Sequence, residues 1–316
     1  MNGNILTPEL GRRLLRKLRE IRQFEERIIT LYPTDVMVTP VHLHIGQEAV
    51  PVGVCDHLRP HDVIFFGHRT HGWALAKGMA MQSLMAELYG RTTGCAHGFG
   101  GSMHVVDPAH GLLGSSALVG GGIALGVGAA LAAKLEKRDQ FAVSCFGDGA
   151  ADSGVFWESM NFAALKSVPV LFLCEDNALS NVMRKQDHLF ADLGEVAEKF
   201  MKVWRADGTD VLSVRATAGE AFAHIRASGK PALLSCRTKR WMKHQGVEVD
   251  DLPFNPVNRT KDCPIRKLEQ ALVAEGMITQ AEIEQLASEV EAQIDAAIAF
   301  AVKSPFPTPA MLVTEV

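Results

Sequence analysis

The chain has no Cys-x-x-Cys pair, and its six cysteines (Cys55, Cys95, Cys145, Cys174, Cys236 and Cys263) are scattered. That pattern excludes a disulfide framework and reads as reduced intracellular thiols. A basic excess is also missing. The formal net charge is −4, which gives no electrostatic reason to expect a nucleic-acid partner. No apolar run has the length of a membrane span. The longest, Leu118 to Ala133, is rich in glycine and too short. No hydrophobic stretch of the secretory type opens the chain, so a soluble cytoplasmic protein is expected. Repeats and low-complexity linkers are absent as well. What is present is 316 residues with 47% hydrophobic content, enough for a substantial core in one large α/β domain over 1–316 or in two small ones.

Both ends read as helices. Thr7-Pro8-Glu9 offers an N-cap hydroxyl, a proline in the first turn and an early acid. Leu10, Leu14, Leu18, Ile21 and Ile28 then mark one apolar face, giving a helix over 7–31. Thr279-Gln280-Ala281-Glu282 fits a capping box, and Ile283, Leu286, Val290, Ile294 and Ile298 continue it within a helical region 262–303. Between them, apolar runs place strands near 62–66, 141–146, 168–174, 202–206 and 231–236. Helices fit 78–90, 120–137, 153–166 and 217–228. Residues 239–262 are the least regular, and an irregular stretch of that length in a compact domain is often functional.

One spacing stands out. Gly147-Asp148-Gly149 is followed by 26 residues, 150 to 175, and then by Asp176-Asn177. Each polar group closes an apolar, strand-like run, and the segment between them is long enough for a helical crossover. Asp148 and Asn177 therefore fall at the carboxyl ends of parallel strands, where open α/β sheets bind ligands. A carboxylate and an amide oxygen there suit a magnesium ion that keeps positions open for phosphate oxygens. Other polar turns cluster with this one in composition. Gly67-His68-Arg69-Thr70-His71-Gly72 follows Val63–Phe66, and an arginine offers forked donors to phosphate. The run from Gly94 to His104 must bend tightly or approach something closely. His97 and His104 in it lack consistent zinc spacing. Ser115–Gly122 is glycine-rich before a small-residue helix, but no acid follows at the place a dinucleotide site needs. His42-Leu43-His44-Ile45-Gly46-Gln47-Glu48 is dense in polar groups. Each segment alone has a plainer reading: a strand-closing turn, a solvated basic turn, a mobile loop, or a helix packed closely on a sheet.

Together they resemble a family. Gly147-Asp148-Gly149 with its spaced Asn177 is similar to the thiamine diphosphate signature. Gly46-Gln47-Glu48-Ala49, His68-Arg69-x-His71-Gly72, Gly100-Gly101-Ser102-Met103-His104 and Asp207-Gly208-x-Asp210 stand in the order seen in α subunits of thiamine diphosphate-dependent 2-oxo acid dehydrogenases, the E1 component. His68, where pyruvate dehydrogenases usually carry tyrosine, is similar to the acetoin dehydrogenase branch. The resemblance implies a thiamine diphosphate-binding fold, a mostly parallel sheet flanked by helices with helical extensions at both ends. It implies magnesium on Asp148, Asn177 and the Leu179 carbonyl. Arg69, Gly149 and Ala150 would hold the diphosphate with His68 beside them, and Ala117 and Val119 would line the aminopyrimidine side. His42, His71 and His244 are the implied catalytic histidines. Two positions depart from the family pattern: Met242 stands where a histidine is usual, and Asp176 replaces an asparagine.

The resemblance further implies that the glutamate activating the cofactor lies on a β-type subunit, in an α2β2 assembly, with a lipoyl acyltransferase as acceptor of the acyl group. Glu48 is the one acid in a matching motif near the N-terminal histidines, and a structural role is expected for it. Two other readings stay open: a carboligase on the same scaffold, which the Met242 departure favours, and a non-catalytic assembly subunit, against which intact Asp148, Asn177 and Arg69 argue.

Overall fold

The computed structural model describes residues 6–37 and 39–311. In chain order the elements are α1 (Pro8–Leu31), α2 (Ala49–Cys55), β1 (Val63–Phe66), α3 (His71–Lys77), α4 (Met81–Leu88), β2 (Leu112–Ser115), α5 (Gly121–Leu135), β3 (Ala142–Gly147), α6 (Gly154–Lys166) and β4 (Val170–Asp176). They continue with β5 (Leu179–Ser180), β6 (Met183–Arg184), α7 (Lys185–His188), α8 (Leu193–Ala197), β7 (Lys202–Asp207), α9 (Val211–Ser228), β8 (Ala232–Arg237), α10 (Pro264–Ala274) and α11 (Gln280–Lys303). Six strands form one sheet in the order β2-β1-β3-β4-β8-β7, with every pairing parallel, and β5 and β6 make a separate short hairpin.

A parallel sheet is covered on both faces, so its strands are apolar throughout. Alternate residues divide between the two faces. Val143, Cys145, Leu171, Leu173 and Leu234 join a core with α1, α2, α3, α9 and α11. Ala142, Phe146, Val170, Phe172 and Leu233 join a second core with α5 and α6. The terminal helices start as the sequence predicts. Thr7 Oγ1 accepts the Leu10 amide at 3.2 Å. Thr279 and Glu282 form the reciprocal capping box. Seven elements were not predicted: the short β5, β6, α7 and α8, and also β2, α2 and α3. Strand β2 is a four-residue edge of sequence Leu-Leu-Gly-Ser. Helix α2 is buried at every position, so it shows no polar face and no period. Helix α3 begins inside the polar turn after β1. Helix α9 starts earlier than its periodicity indicates because Asp210 caps it, accepting from Leu212 and Ser213.

The chain goes from β1 outward to β2, then returns to the other side of β1 for β3. The order of connections therefore reverses between β1 and β3, and the carboxyl ends of those strands flank a crevice. Among the described residues no helix is long and apolar enough to cross a membrane.

Candidate active site

The crevice is walled by the polypeptide that leaves each central strand. Gly67, His68 and Arg69 follow β1, Asp148–Ala150 follow β3, and Asn177 and Leu179 follow β4. Val119 and the first turn of α5 face it, and Arg240 and His244 reach it from the segment after β8. The amides of that first turn add partial positive charge to the wall. Of the residues expected at the site, Ala117 is exposed and lies outside this wall.

Asp148 is 1% exposed, and neither carboxylate oxygen has a hydrogen-bond partner among the described residues. Burial, followed by repulsion from Asp176, pushes its carboxyl up to about 7. A buried carboxylate left unpaired is costly, and a hard cation is the partner that relieves it. Beside it Asn177 Nδ2 donates to Gln47 Oε1 at 3.1 Å, which turns the amide oxygen toward the Leu179 amide, also at 3.1 Å. Gln47 Oε1 also accepts from the Thr238 hydroxyl at 2.9 Å. At Gly149 a Cβ would come within 2.6 Å of Ser180 Oγ, so the turn passes too close for a side chain. Asp176, the departure from asparagine, is ion-paired with Lys185 at 2.5 Å and also accepts the Ala178 amide. Lys185 therefore offsets the extra charge.

Arg69 supplies the opposite sign. Its guanidinium donates only to main-chain carbonyls, Leu43 at 2.5 Å and His244 at 3.2 Å, with no carboxylate at ion-pair distance among the described residues. Burial, then repulsion from Arg240, lowers it to about 10. Arg240 by contrast is neutralised by Asp250. A buried carboxylate without a partner and a half-buried guanidinium without a carboxylate line the same crevice, and together they fit a metal ion and a diphosphate.

His68 and His244 line one end, with buried His42 packed against both. The rings of His42 and His68 lie 4.5 Å apart, His42 and His244 5.1 Å, and His68 and His244 5.0 Å, centre to centre. Burial and then the Arg69 charge lower them to about 3 for His42, about 2 for His68 and about 4 for His244. All three are uncharged imidazoles at neutral pH.

His71, expected among the catalytic histidines, sits elsewhere. It is fully buried, bonded through Nδ1 to Glu25 Oε1 at 3.0 Å and through Nε2 to Ser102 Oγ at 2.8 Å, and does not face the crevice. The same Glu25 accepts the His44 amide at 2.7 and 2.9 Å. His44 Nε2 in turn meets Glu175 Oε1 at 2.8 Å, and Trp73 donates to Glu175 Oε2 at 3.1 Å. Burial would raise the Glu175 carboxyl, but His44 outweighs it and holds it below the usual range. Glu48 is fully buried against Arg22 at 2.6 Å, the structural role expected of it. Glu25, Glu175, Lys185 and Arg240 were not singled out from sequence, because charges on an amphipathic helix or at a strand end look like solvated ones.

An all-parallel sheet with this charge arrangement at its reversal point defines an α/β subunit whose crevice is lined by groups of both charges. The chain belongs to the dehydrogenase E1 component family, which matches residues 16–310. It is 36% identical over 326 residues to the alpha subunit of acetoin:2,6-dichlorophenolindophenol oxidoreductase from Bacillus subtilis (strain 168), covering 99% of this chain and 95% of that one. The Cupriavidus necator protein of the same name is 35% identical, covering 95% of this chain and 92% of its own. The alpha subunit of the pyruvate dehydrogenase E1 component from Zymomonas mobilis is also 35% identical, with 95% and 86% covered. The family implies thiamine diphosphate as cofactor, and relatives named as alpha subunits imply a beta subunit as partner. The chain is thus the alpha subunit of an E1-type enzyme.

Proposed function

We propose that this α subunit acts on acetoin, cleaving its carbon–carbon bond and passing the acyl unit to a lipoyl domain, with magnesium on Asp148, Asn177 and the Leu179 carbonyl. His68 in the turn after β1 and the two acetoin-oxidising relatives support acetoin, and a 2-oxo acid such as pyruvate is the second reading. The relatives do not favour a carboligase. The observation that carries the site assignment is the unpartnered carboxylate of Asp148 in the same crevice as the carboxylate-free guanidinium of Arg69.

Arg69, the Gly149–Ala150 turn and the first turn of α5 would hold the diphosphate, with Val119 against the aminopyrimidine. Bound there, thiamine diphosphate supplies a carbon nucleophile and an electron sink for the carbanion. The chain contributes position and proton handling. Uncharged His42, His68 and His244 can donate a hydrogen bond to a substrate oxygen. Asp148 would be committed to the metal, and none of Glu25, Glu48 and Glu175 is free to activate an aminopyrimidine. Glu48 is bound to Arg22, Glu25 to His44 and His71, and Glu175 to His44 and Trp73. That supports a β-type subunit as donor of the activating glutamate, in an α2β2 assembly.

Exposed apolar side chains support the same partnership. Leu118 on the crevice wall is 76% exposed with exposed Val119 beside it, and Leu125, Phe162 and Leu165 are exposed on α5 and α6. Calorimetry with thiamine diphosphate and magnesium tests the site. Asp148→Ala should abolish magnesium-dependent binding while circular dichroism stays native. Retained affinity in a folded variant would remove the assignment. Reduction of 2,6-dichlorophenolindophenol by the assembled enzyme, with acetoin against pyruvate, separates the two substrate readings.

A further inference from the structure

The three-histidine end of the crevice has a property that the cofactor reading does not use. His42, His68 and His244 come from three separate segments: the stretch before α2, the turn after β1 and the irregular segment after β8. One nitrogen from each ring lies within 4.8 Å of one from each of the others. His42 is 5% exposed, and its Nδ1 is buried with no partner. None of the three rings has a hydrogen bond to the protein among the described residues. Most buried imidazoles have such a bond, as His44 and His71 do.

We propose that His42, His68 and His244 form a transition-metal site, distinct from the oxygen-ligand position at Asp148 and Asn177, that takes one zinc-type ion and leaves its fourth position open to the crevice. Neutral imidazole is the ligand type zinc, copper and nickel prefer, whereas magnesium prefers oxygen. Three histidines plus one open position is also the ligand count of a catalytic rather than a structural zinc site. Zinc–nitrogen bonds of about 2.0–2.1 Å in a tetrahedron place the nitrogens roughly 3.3 Å apart, so the rings must close in by rotating their side chains. His68 and His244 are half-buried at the crevice wall and have room to turn. Arg69 repels any cation here. It restricts the site to metals whose bonds to imidazole are strong enough to outweigh that repulsion. An ion so placed occupies the space where the histidines would otherwise meet substrate. Zinc is therefore an inhibitor of the assembled enzyme, reversed by a chelator.

Cobalt(II) is the probe, because a tetrahedral cobalt–imidazole centre absorbs visible light and magnesium does not. Titrating the full chain without thiamine diphosphate should give one cobalt per chain with visible bands, displaced by zinc and untouched by magnesium. His42→Gln, His68→Gln and His244→Gln should each weaken cobalt binding at least about tenfold, a loss that even an outer-shell change can cause. Asp148→Ala should leave the bands intact, which separates this site from the cofactor's metal whatever becomes of that assignment. Circular dichroism identifies any glutamine variant that fails to fold, and the remaining two then decide. Absence of the bands from the parent chain would overturn the proposal. So would bands that persist in every folded histidine variant or vanish in Asp148→Ala.

Discussion

Arg240 and Asp250 form a 2.7 Å ion pair in which each side chain is 1% exposed. Arg240 also donates to the Asn181 carbonyl at 2.7 Å, and Asn255 donates to the Arg240 carbonyl at 2.9 Å. The irregular segment after β8 is thereby pinned at the crevice. Asp250 consumes the charge of Arg240 and leaves Arg69 as the guanidinium available to an anionic ligand.

Asp250→Asn should therefore destabilise the protein by about 3–5 kcal/mol, since it leaves a buried cation uncompensated near a second one. Urea unfolding reads the loss. Limited proteolysis should also become faster within 239–262. A variant as stable and as resistant as the parent would mean that the pair does not anchor the segment.

Asp56 ties three helices together. Its carboxylate accepts from Arg13 of α1 at 2.7 Å and from Arg215 of α9 at 2.6 Å. Burial would raise its carboxyl, but the Arg215 and Arg13 bonds outweigh it, and the net shift is downward. A carboxyl held below its unfolded value adds stability that is present above the unfolded pKa and lost as pH falls through the folded one. Asp56→Asn should cost about 1.5–3 kcal/mol at neutral pH and flatten the acid limb of the stability profile. Parallel profiles for parent and variant would contradict this.

The central strands and the metal-side turns are legible in sequence because a doubly covered parallel sheet writes apolar runs that stop at polar turns. Asp148 and Asn177 could be placed from spacing alone. Glu25 could not. It sits among the charges of α1 and reads as solvated, yet its carboxylate reaches His44 and His71 across the first core. His71 was misplaced for the same reason, since a polar turn in sequence does not show which side chain folds inward. Helix α2 is hidden by complete burial. Pro51 and Gly53 also weaken its helical signature.

Gly53 shows what that burial demands. A Cβ there would lie 2.8 Å from Val214 Cγ1 and 2.9 Å from the Arg215 amide nitrogen, so α2 and α9 are separated by hydrogen only. Gly53→Ala gains helix propensity but forces the two helices apart. A net loss of about 1–3 kcal/mol is expected from overpacking. Thermal unfolding checks it, and a stabilised variant would show that the helices can give way.

The chain alone should not activate thiamine diphosphate. Activation requires a carboxylate against the aminopyrimidine. Asp148 is reserved for the metal in the proposed site, and the other buried acids near the crevice already have partners that cost several kcal/mol to break. Glu48 is held by Arg22, and Glu25 by the His44 amide and the His71 ring. Glu175 does face the crevice, but both its oxygens are engaged, Oε1 by His44 and Oε2 by Trp73. Leu118 and Val119 on the crevice wall are left exposed, and an interface there would exclude water from a reactive carbanion. NMR of the thiazolium C2 proton in deuterated buffer measures the consequence directly. Exchange on the saturated chain should match free cofactor and accelerate only when the β-type subunit is added. Fast exchange on the chain alone that disappears in Glu175→Gln would place the activating carboxylate here and make the partner dispensable for that step.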